Sequence, residues 1–409
     1  MRYLLYNVYF VVLEYTFRVF IFPIIIIYSD FAPELNPWKY LLSLLILNAC
    51  LLSARFLKED TQRFVLDLIT YLLLVPSLVM LIDVNPNIWI VPSILILYIA
   101  YITSSNLFDF KTSFTYLEIS PMLIMFIILI MLVPFIMAFG VKFDPSVFLL
   151  ENVYEVRLDA RTKDNYFTGR FYGILTNVFI PFLFVRSLEK KRWLGIIFAV
   201  LVTLYLFTTA AQKLTLFSLI LILVFWNVKS LKRFINGTII VTTVACLFTC
   251  WLYFVKEDLI SSIAVGNVVD RVLVAPSWLH VLYFDFFSKN GYTYFSIGPL
   301  SFLLGDLYPF FTYPAEIIGQ LYYGSLDMHA NTGFPSDGFL QLGIIGVTIY
   351  ALIESFIFLA FAKILKNNYA YIPILIINLF NVLSTDVFTA LFTHGVIVFL
   401  FFVYLVKLK

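Results

Sequence analysis

Two groups of residues in this chain have types and spacing suited to chemistry. The first is cationic: Arg157, Arg161, Lys163 and Arg170 fall within one stretch, with Lys213 and Arg271 further on. Arginine stays charged at any accessible pH and grips phosphate oxygens in pairs, so the set suits a pyrophosphate better than a simple carboxylate. Each member also has a plain reading: Arg157 can pair with Glu155 or Asp159, and the others can be solvated. Lys213 closes the run Thr208-Thr-Ala-Ala-Gln-Lys213. It can snorkel outward, or the small residues beside it can let a lipid-linked phosphate approach.

The second group lies between Lys256 and Asp337, about eighty residues without a membrane-length apolar run. Trp278, His280, Tyr283, Asp285, Tyr292, Tyr294, Tyr308, Tyr313, Glu316, Tyr322 and Tyr323 crowd it. Aromatic faces stack on sugar C–H surfaces while hydroxyls and carboxylates bond sugar hydroxyls, although an interfacial aromatic belt explains most such tyrosines. Trp278, Tyr283 and Asn331 are the candidates for glycan contact. Arg271, Trp278 and Asp285 recur at intervals of seven, which predicts an amphipathic helix over Val268–Ser288.

The stretch ends on Met328-His329-Ala-Asn331-Thr332-Gly333-Phe334-Pro-Ser336-Asp337-Gly338 and runs into an apolar helix. A polar, glycine-bearing cluster at a helix start favours an anion. Capping alone explains Ser336 or Asp337. Capping does not call for His329, whose neutral imidazole can take a proton from a hydroxyl. His329, Asp337 and Arg271 are therefore the candidate catalytic residues.

The elements that position these groups are membrane helices. The chain has 409 residues, 62% hydrophobic and 13% charged, with a mean hydropathy of +0.96. A helix needs roughly 20 apolar residues to cross a hydrocarbon core, and such runs recur throughout. Their length and lack of alternation exclude a β-barrel. The pattern predicts an all-α polytopic membrane protein with about twelve spans. These are Tyr6–Tyr28, Trp38–Ala54, Phe64–Ile82, Ile88–Ser105, Leu117–Gly140, Phe171–Leu188, Trp193–Ala210, Lys213–Val228, Phe234–Val255, Gly338–Ile364, Tyr371–Thr385 and Phe388–Val406. The join at Thr208–Lys213 is short enough to be one helix broken in mid-membrane. With no repeat or soluble domain, 1–409 is expected to be a single integral-membrane domain.

Basic residues set the expected sidedness. One set of loops holds Arg55, Lys58, Arg63, Lys111, Lys190, Lys191, Arg192, Lys229, Lys232, Arg233, Lys363, Lys366, Lys407 and Lys409. The alternate short loops Ser29–Pro37 and Asp83–Asn87 have neither Lys nor Arg. Both termini are thus expected in the cytoplasm, and two enlarged loops, 141–170 and 256–337, on the other face. The six cations named first, all assigned to that face, oppose the usual bias, which strengthens the anion reading.

Among charges inside spans, Glu14 and Arg18 are one turn apart and should neutralise each other. Asp67, Glu354 and Asp386 look isolated, and His394 is expected against Asp386 or a helix backbone. Cys50, Cys246 and Cys250 all lie in apolar segments, which argues for packing and against disulfide or zinc chemistry. The first apolar run is too long for a cleaved signal. A net charge of +2 gives no reason to expect a nucleic-acid partner.

This plan resembles the bacterial O-antigen or oligosaccharide repeat-unit polymerases of the Wzy family. The likeness covers the topology of nearly the whole chain. Its local carriers are the basic run Arg157–Arg170 leading into Phe171-Tyr-Gly-Ile-Leu, the Gln212-Lys213 turn, Arg271 followed by Pro276, and the stretch from His329 to Gly346. The arginine-to-glycine repeats of some members are not cleanly present: Arg157 precedes Gly169, and Arg161 precedes Gly173, by twelve positions each. The resemblance implies a membrane glycosyltransferase (GT-C-like) architecture in the bacterial inner membrane, acting at the periplasmic face without metal or other cofactor. It implies transfer of a glycan from undecaprenyl pyrophosphate onto the next lipid-linked unit, with a chain-length-determining co-polymerase as a partner. In that scheme Arg157, Arg161, Arg170, Lys213 and Arg271 hold pyrophosphate, and His329 with Asp337 positions or deprotonates the acceptor. An O-antigen ligase, or a flippase for the lipid-linked unit, stands as the alternative.

Overall fold

The computed structural model describes residues 2–22, 36–84, 89–108, 119–141, 147, 153–226, 228, 230–255, 269–270, 273–298, 301–325, 328–367 and 369–405. Among them every regular element is helical. Nine of these helices are long and apolar enough to cross a membrane, and two shorter apolar ones cover Thr215–Phe225 and Tyr369–Ser384. The span expected over Phe388–Val406 is divided: Val387–Phe392 and Val396–Leu405 are separate helices, parted at Gly395 with φ +83°. The protein is an all-α membrane protein. Its helix Pro121–Phe139 is apolar throughout, yet Met122, Phe126, Ile130 and Met137 on it are more than half exposed. Such surface is stable against lipid and not against water.

Helix ends follow local chemistry. Asn36 accepts from the Trp38 amide ahead of a helix opening on Pro37, and Ser120 does the same for Leu123 ahead of Pro121. These satisfy amides that a helix start leaves free, with proline where no amide is needed.

Within the membrane domain expected over 1–409 the chain packs as two compact units. The first comprises Met1–Asp109, Ser230–Ala362 and Leu383–Val387; the second comprises Phe110–Lys229, Lys363–Val382 and Phe388–Lys409.

Each unit has one strongly buried span. In the first it is Asp60–Asp83, in the second Tyr166–Glu189. Both contain a widened turn, Thr70–Leu74 and Leu175–Phe179, where an amide reaches back five residues: Val75 to Thr70, and Ile180 to Leu175. Pro76 and Pro181 follow immediately. A proline cannot donate to the ladder and clashes with the turn before it, so each helix absorbs it by widening.

Asp67 is not isolated in the first unit. It forms an ion pair with Arg2, 65 positions away, and its carbonyl accepts from Tyr6 at 2.8 Å. Glu14 and Arg18 pair at 3.0 Å as expected. The three cysteines are buried and free.

Candidate functional site

The first unit is organised around a broken helix. Ser336–Asn367 is interrupted at Leu342 and at Gly343, where φ is +58°, a conformation open to glycine and strained for other residues. The short piece before the break folds back on the piece after it. A Cβ on Gly346 would lie 2.0 Å from the Gly338 carbonyl oxygen, so only glycines allow this approach. The break frees carbonyls, and a neighbouring loop takes them up. The Thr293 amide donates to Leu340 at 2.8 Å and the Tyr294 amide to Gln341 at 2.9 Å. The Gln341 side-chain oxygen accepts from Thr293 and from the Phe295 amide.

The stretch leading into the break is held from several directions. Ala330 donates to the Ala315 carbonyl at 3.0 Å and accepts from the Tyr283 hydroxyl at 2.8 Å. A Cβ on Gly319 would lie 1.9 Å from the Met328 carbonyl oxygen, so this glycine lets the stretch lie against Pro314–Tyr323. Ser336 and Thr332 both hydrogen-bond His280 Nδ1, at 2.8 and 3.2 Å. His280 is fully buried, and burial pushes its pKa down to about 3, so the ring is neutral at physiological pH.

This anchoring sorts the expected site residues. His329 and Asn331 face out, with His329 Nε2 at 3.9 Å from a Glu316 carboxylate oxygen. Asp337 faces in and is 6% exposed. Trp278 and Tyr283 are each 2% exposed. Their rings are packed in the unit's interior instead of being offered to a sugar, and the Tyr283 hydroxyl is already spent on Ala330. Both sit on helix Ala275–Asn290, which covers 275–288 of the helix expected over Val268–Ser288. Arg271 lies outside the described residues. The exposed aromatics are others, Tyr294, Phe302, Phe311 and Tyr313 among them. A second surface cluster joins Tyr322, Asp285 and Lys289, with the Tyr322 hydroxyl donating to Asp285 at 2.9 Å and Lys289 at 2.6 Å from the same carboxylate.

The second unit carries Arg157, Arg161, Lys163, Arg170 and Lys213. Helix Val153–Lys163 bears Arg157 and Arg161 one turn apart. Arg157 clamps a helix junction: its Nε and Nη2 donate to the Ala211 carbonyl at 3.2 and 3.0 Å. Ala211 itself is left-handed, with φ +49°. It ends helix Trp193–Ala210, and Lys213 opens the next helix. The tight join at Thr208–Lys213 is therefore a true break between two helices. Val156 packs on the buried cluster of Val147, Phe207 and Ala211, seating the arginine helix. The ion pair is Lys163 with Asp159, at 2.6 Å, rather than Arg157 with Asp159.

Helix Tyr166–Ile174 starts on Asn165, whose side chain caps Phe167 and Thr168. It is tied to the Lys213–Phe225 helix through Tyr172 and Thr215 at 2.8 Å. Arg170 is exposed, its guanidinium 4.4 Å from the Tyr166 ring centre. Gly173 serves packing, because a Cβ there would lie 2.3 Å from the Thr393 carbonyl oxygen. The neighbouring His394 carbonyl accepts from Asn177 at 3.1 Å.

No family model, curated protein or solved structure matches this chain.

The chemistry of the site therefore rests on its own geometry. The second unit holds Arg157 at a helix junction, with Arg161 on the same helix and Lys213 at the start of the next. Cations beside a helix start suit an oxyanion. The first unit holds an exposed imidazole with a carboxylate close by, an arrangement suited to moving a proton. The pairings of the interior polar groups, His280 with Ser336 and Tyr350 with Asp386, carried no local signal. Their partners are 56 positions apart in one case and 36 in another.

Proposed function

We propose that the protein is a surface-polysaccharide (O-antigen) polymerase, a glycosyltransferase that joins oligosaccharide repeat units carried on undecaprenyl pyrophosphate. The observation that carries this reading is the Arg157 clamp. It seats an arginine-bearing helix at the junction that opens on Lys213. By the charge pattern of the loops, that junction belongs to the periplasmic face.

In the proposed reaction a hydroxyl of the new unit attacks the anomeric carbon of the growing glycan. The bond from that carbon to pyrophosphate oxygen breaks, and the lipid pyrophosphate leaves. Arg161, Arg170, Lys213 and Arg271 act on its developing charge, while Arg157 both clamps and contributes. His329 takes the hydroxyl proton, with Glu316 orienting the ring. Asn331 is the exposed candidate for holding the acceptor glycan. A chain-length-determining partner belongs to the same proposal.

The decisive experiment gives purified protein in liposomes a lipid-linked repeat unit and follows chain length. Growth of a ladder supports the reading; Arg271→Ala and His329→Ala should each abolish it while the protein stays inserted. Normal ladders in both variants remove the site assignment. In cells, loss of a polymerase leaves single repeat units on lipopolysaccharide, whereas loss of a ligase leaves none.

One observation favours a second reading, a transporter of the lipid-linked unit. A spanning helix broken beside buried carboxyls is a frequent feature of transport sites. Movement of the lipid-linked unit across liposomes without chain extension would establish that reading in place of the polymerase.

A further inference from the structure

Among the described residues four non-glycines have a positive φ: Lys191, Ala211, Tyr294 and Phe295. Left-handed backbone is uncommon away from glycine, and under a bulky side chain it is strained. Lys191 and Ala211 have an ordinary reason for it. Each lies just past the end of a helix, after Ile180–Glu189 and Trp193–Ala210, where a left-handed residue closes the last turn. Tyr294 and Phe295 lack that reason. They are consecutive, and the helix before them, Ala275–Asn290, has already closed at Gly291.

The first unit holds this turn in place. The Gln341 side-chain oxygen accepts from the Thr293 hydroxyl at 2.7 Å and from the Phe295 amide at 2.9 Å. The Tyr294 amide donates to the Gln341 carbonyl at 2.9 Å. Phe295 gains from the arrangement, because its ring stacks on Tyr350 with centres 6.4 Å apart. Tyr294 gains less, being 46% exposed. A glycine would adopt the same backbone without strain. Neither backbone nor burial accounts for a tyrosine at 294.

Its ring forms one side of a corner. Tyr292 and Tyr294 have ring centres 6.5 Å apart and planes at 85°. Tyr292 is backed by Phe339 at 5.7 Å and 86°, and Phe339 stacks on Phe284 at 3.9 Å. Both phenylalanines are buried, so the corner is fixed to the unit's interior. Gly343 makes room for the phenol end of Tyr292, since a Cβ there would lie 2.8 Å from the tyrosine oxygen. Two hydroxyl-bearing rings at right angles offer apolar faces with polar groups at their edges. The C–H face of a sugar, rimmed by hydroxyls, matches that surface. An interfacial aromatic belt also exposes tyrosines, but it calls for no strained backbone. Strain of this kind gathers at ligand clamps.

We propose that Tyr292 and Tyr294 form a carbohydrate-stacking subsite for one pyranose ring, the role that the buried Trp278 and Tyr283 do not fill. As a subsite for the growing glycan it rests on the polymerase reading, but sugar binding is measurable without catalysis.

The test is saturation-transfer NMR of the full chain in lipid nanodiscs, with the methyl glycosides of glucose, galactose, mannose and N-acetylglucosamine as probes. At least one should show transfer to its ring C–H protons. Tyr294→Ala should weaken that binding by about fivefold or more. Tyr294→Phe should weaken it less, because the stacking face remains. Tyr294→Gly should lose the sugar as Tyr294→Ala does, yet melt at a higher temperature, because only glycine relieves the left-handed backbone. Absence of transfer to all four probes overturns the proposal, and so does wild-type binding by Tyr294→Ala. A Tyr294→Gly variant that melts no higher than Tyr294→Ala removes the strain and overturns it as well. Sugar binding without extension of a lipid-linked unit would keep the subsite and remove the polymerase reading. Normal ladders from Tyr294→Ala would keep the polymerase reading and remove the subsite.

Discussion

Around the broken helix of the first unit the polar groups nearest the break point inward. His280, Ser336, Asp337 and Glu354 are all buried, and the side chains left facing out are few, His329 and Asn331 among them. Around the helix break of the second unit the arrangement is reversed. Arg157 lies partly exposed over the junction, Arg170 on the following helix is open to the surroundings, and the Arg157 charge serves the backbone by satisfying the Ala211 carbonyl. The first unit interrupts a membrane helix and the second ends one abruptly, and both must settle the freed backbone groups. The first does so with amides of its own chain at Thr293 and Tyr294; the second does so with a guanidinium. The difference teaches which residues remain available to a ligand. A break repaired from within leaves its acids hidden, and a break repaired by a surface cation leaves positive charge on display.

Five measurements would break or sharpen that comparison. The largest effect is expected at His329, the exposed base candidate of the otherwise inward-facing unit. His329→Ala should lower the rate of chain extension by about 10²-fold or more, with insertion and thermal stability unchanged. Full activity would mean that the outward residues of the first unit do not perform the chemistry.

Next is the clamp. Arg157→Ala leaves the Ala211 carbonyl without its partner and should cost about 1–3 kcal/mol in unfolding experiments. Arg157→Lys should recover only part of that, because an ammonium lacks the two-pronged donor geometry. A variant as stable as wild type would separate the arginine from the junction.

The third measurement is the acid limb of stability. His280 binds a proton more weakly folded than unfolded, its pKa falling from 6.5 to about 3. Its contribution is therefore complete above pH 6.5 and drains as pH falls from there towards about 3. One such group contributes at most about 1.4 kcal/mol per pH unit. His280→Asn should flatten the decline of melting temperature over that window, and an unchanged slope would show that other groups set it.

Smaller effects are expected from groups already spent on packing. Tyr283→Phe removes the hydrogen bond to Ala330 and should cost about 1 kcal/mol in stability. Chain extension should be normal, because the ring is not offered to a sugar; a large loss of activity with little loss of stability would return Tyr283 to the glycan site. Arg170→Ala gives up a surface contact with Tyr166 worth about 0.5–1 kcal/mol. A much larger loss of polymer in that variant would mark Arg170 as a phosphate ligand.

Several parts of the site were legible in the residues alone. The cations from Arg157 to Arg170, the small-residue junction before Lys213 and the polar run ending at Asp337 all stood out as local irregularities in an apolar chain. Local spacing also paired Glu14 with Arg18 correctly, because a helix turn puts them side by side. It failed for Asp67, whose partner Arg2 lies far away in sequence. It failed again for Trp278 and Tyr283: an aromatic in a polar stretch reads the same whether its face is open or packed, and only the fold sets burial.

The amino-acid sequence by itself determined the class of this protein. Long apolar runs admit only helices in a bilayer, so the backbone solution follows from composition and spacing. The Ala-Ala-Gln junction before Lys213 was legible as a tight join, whereas the breaks at Gly343 and Gly395 fall inside spans expected to run unbroken over Gly338–Ile364 and Phe388–Val406. Only the tertiary structure decided what the interruptions accomplish. The amides of Thr293 and Tyr294 meet the break at Gly343 from another stretch of the chain, and the seating of Val156 brings Arg157 to Ala211. Both outcomes depend on contacts between residues far apart in the chain, and side-chain chemistry changes with such neighbours. An imidazole in water gains its proton near pH 6.5, whereas the enclosed His280 ring is pushed down to about 3.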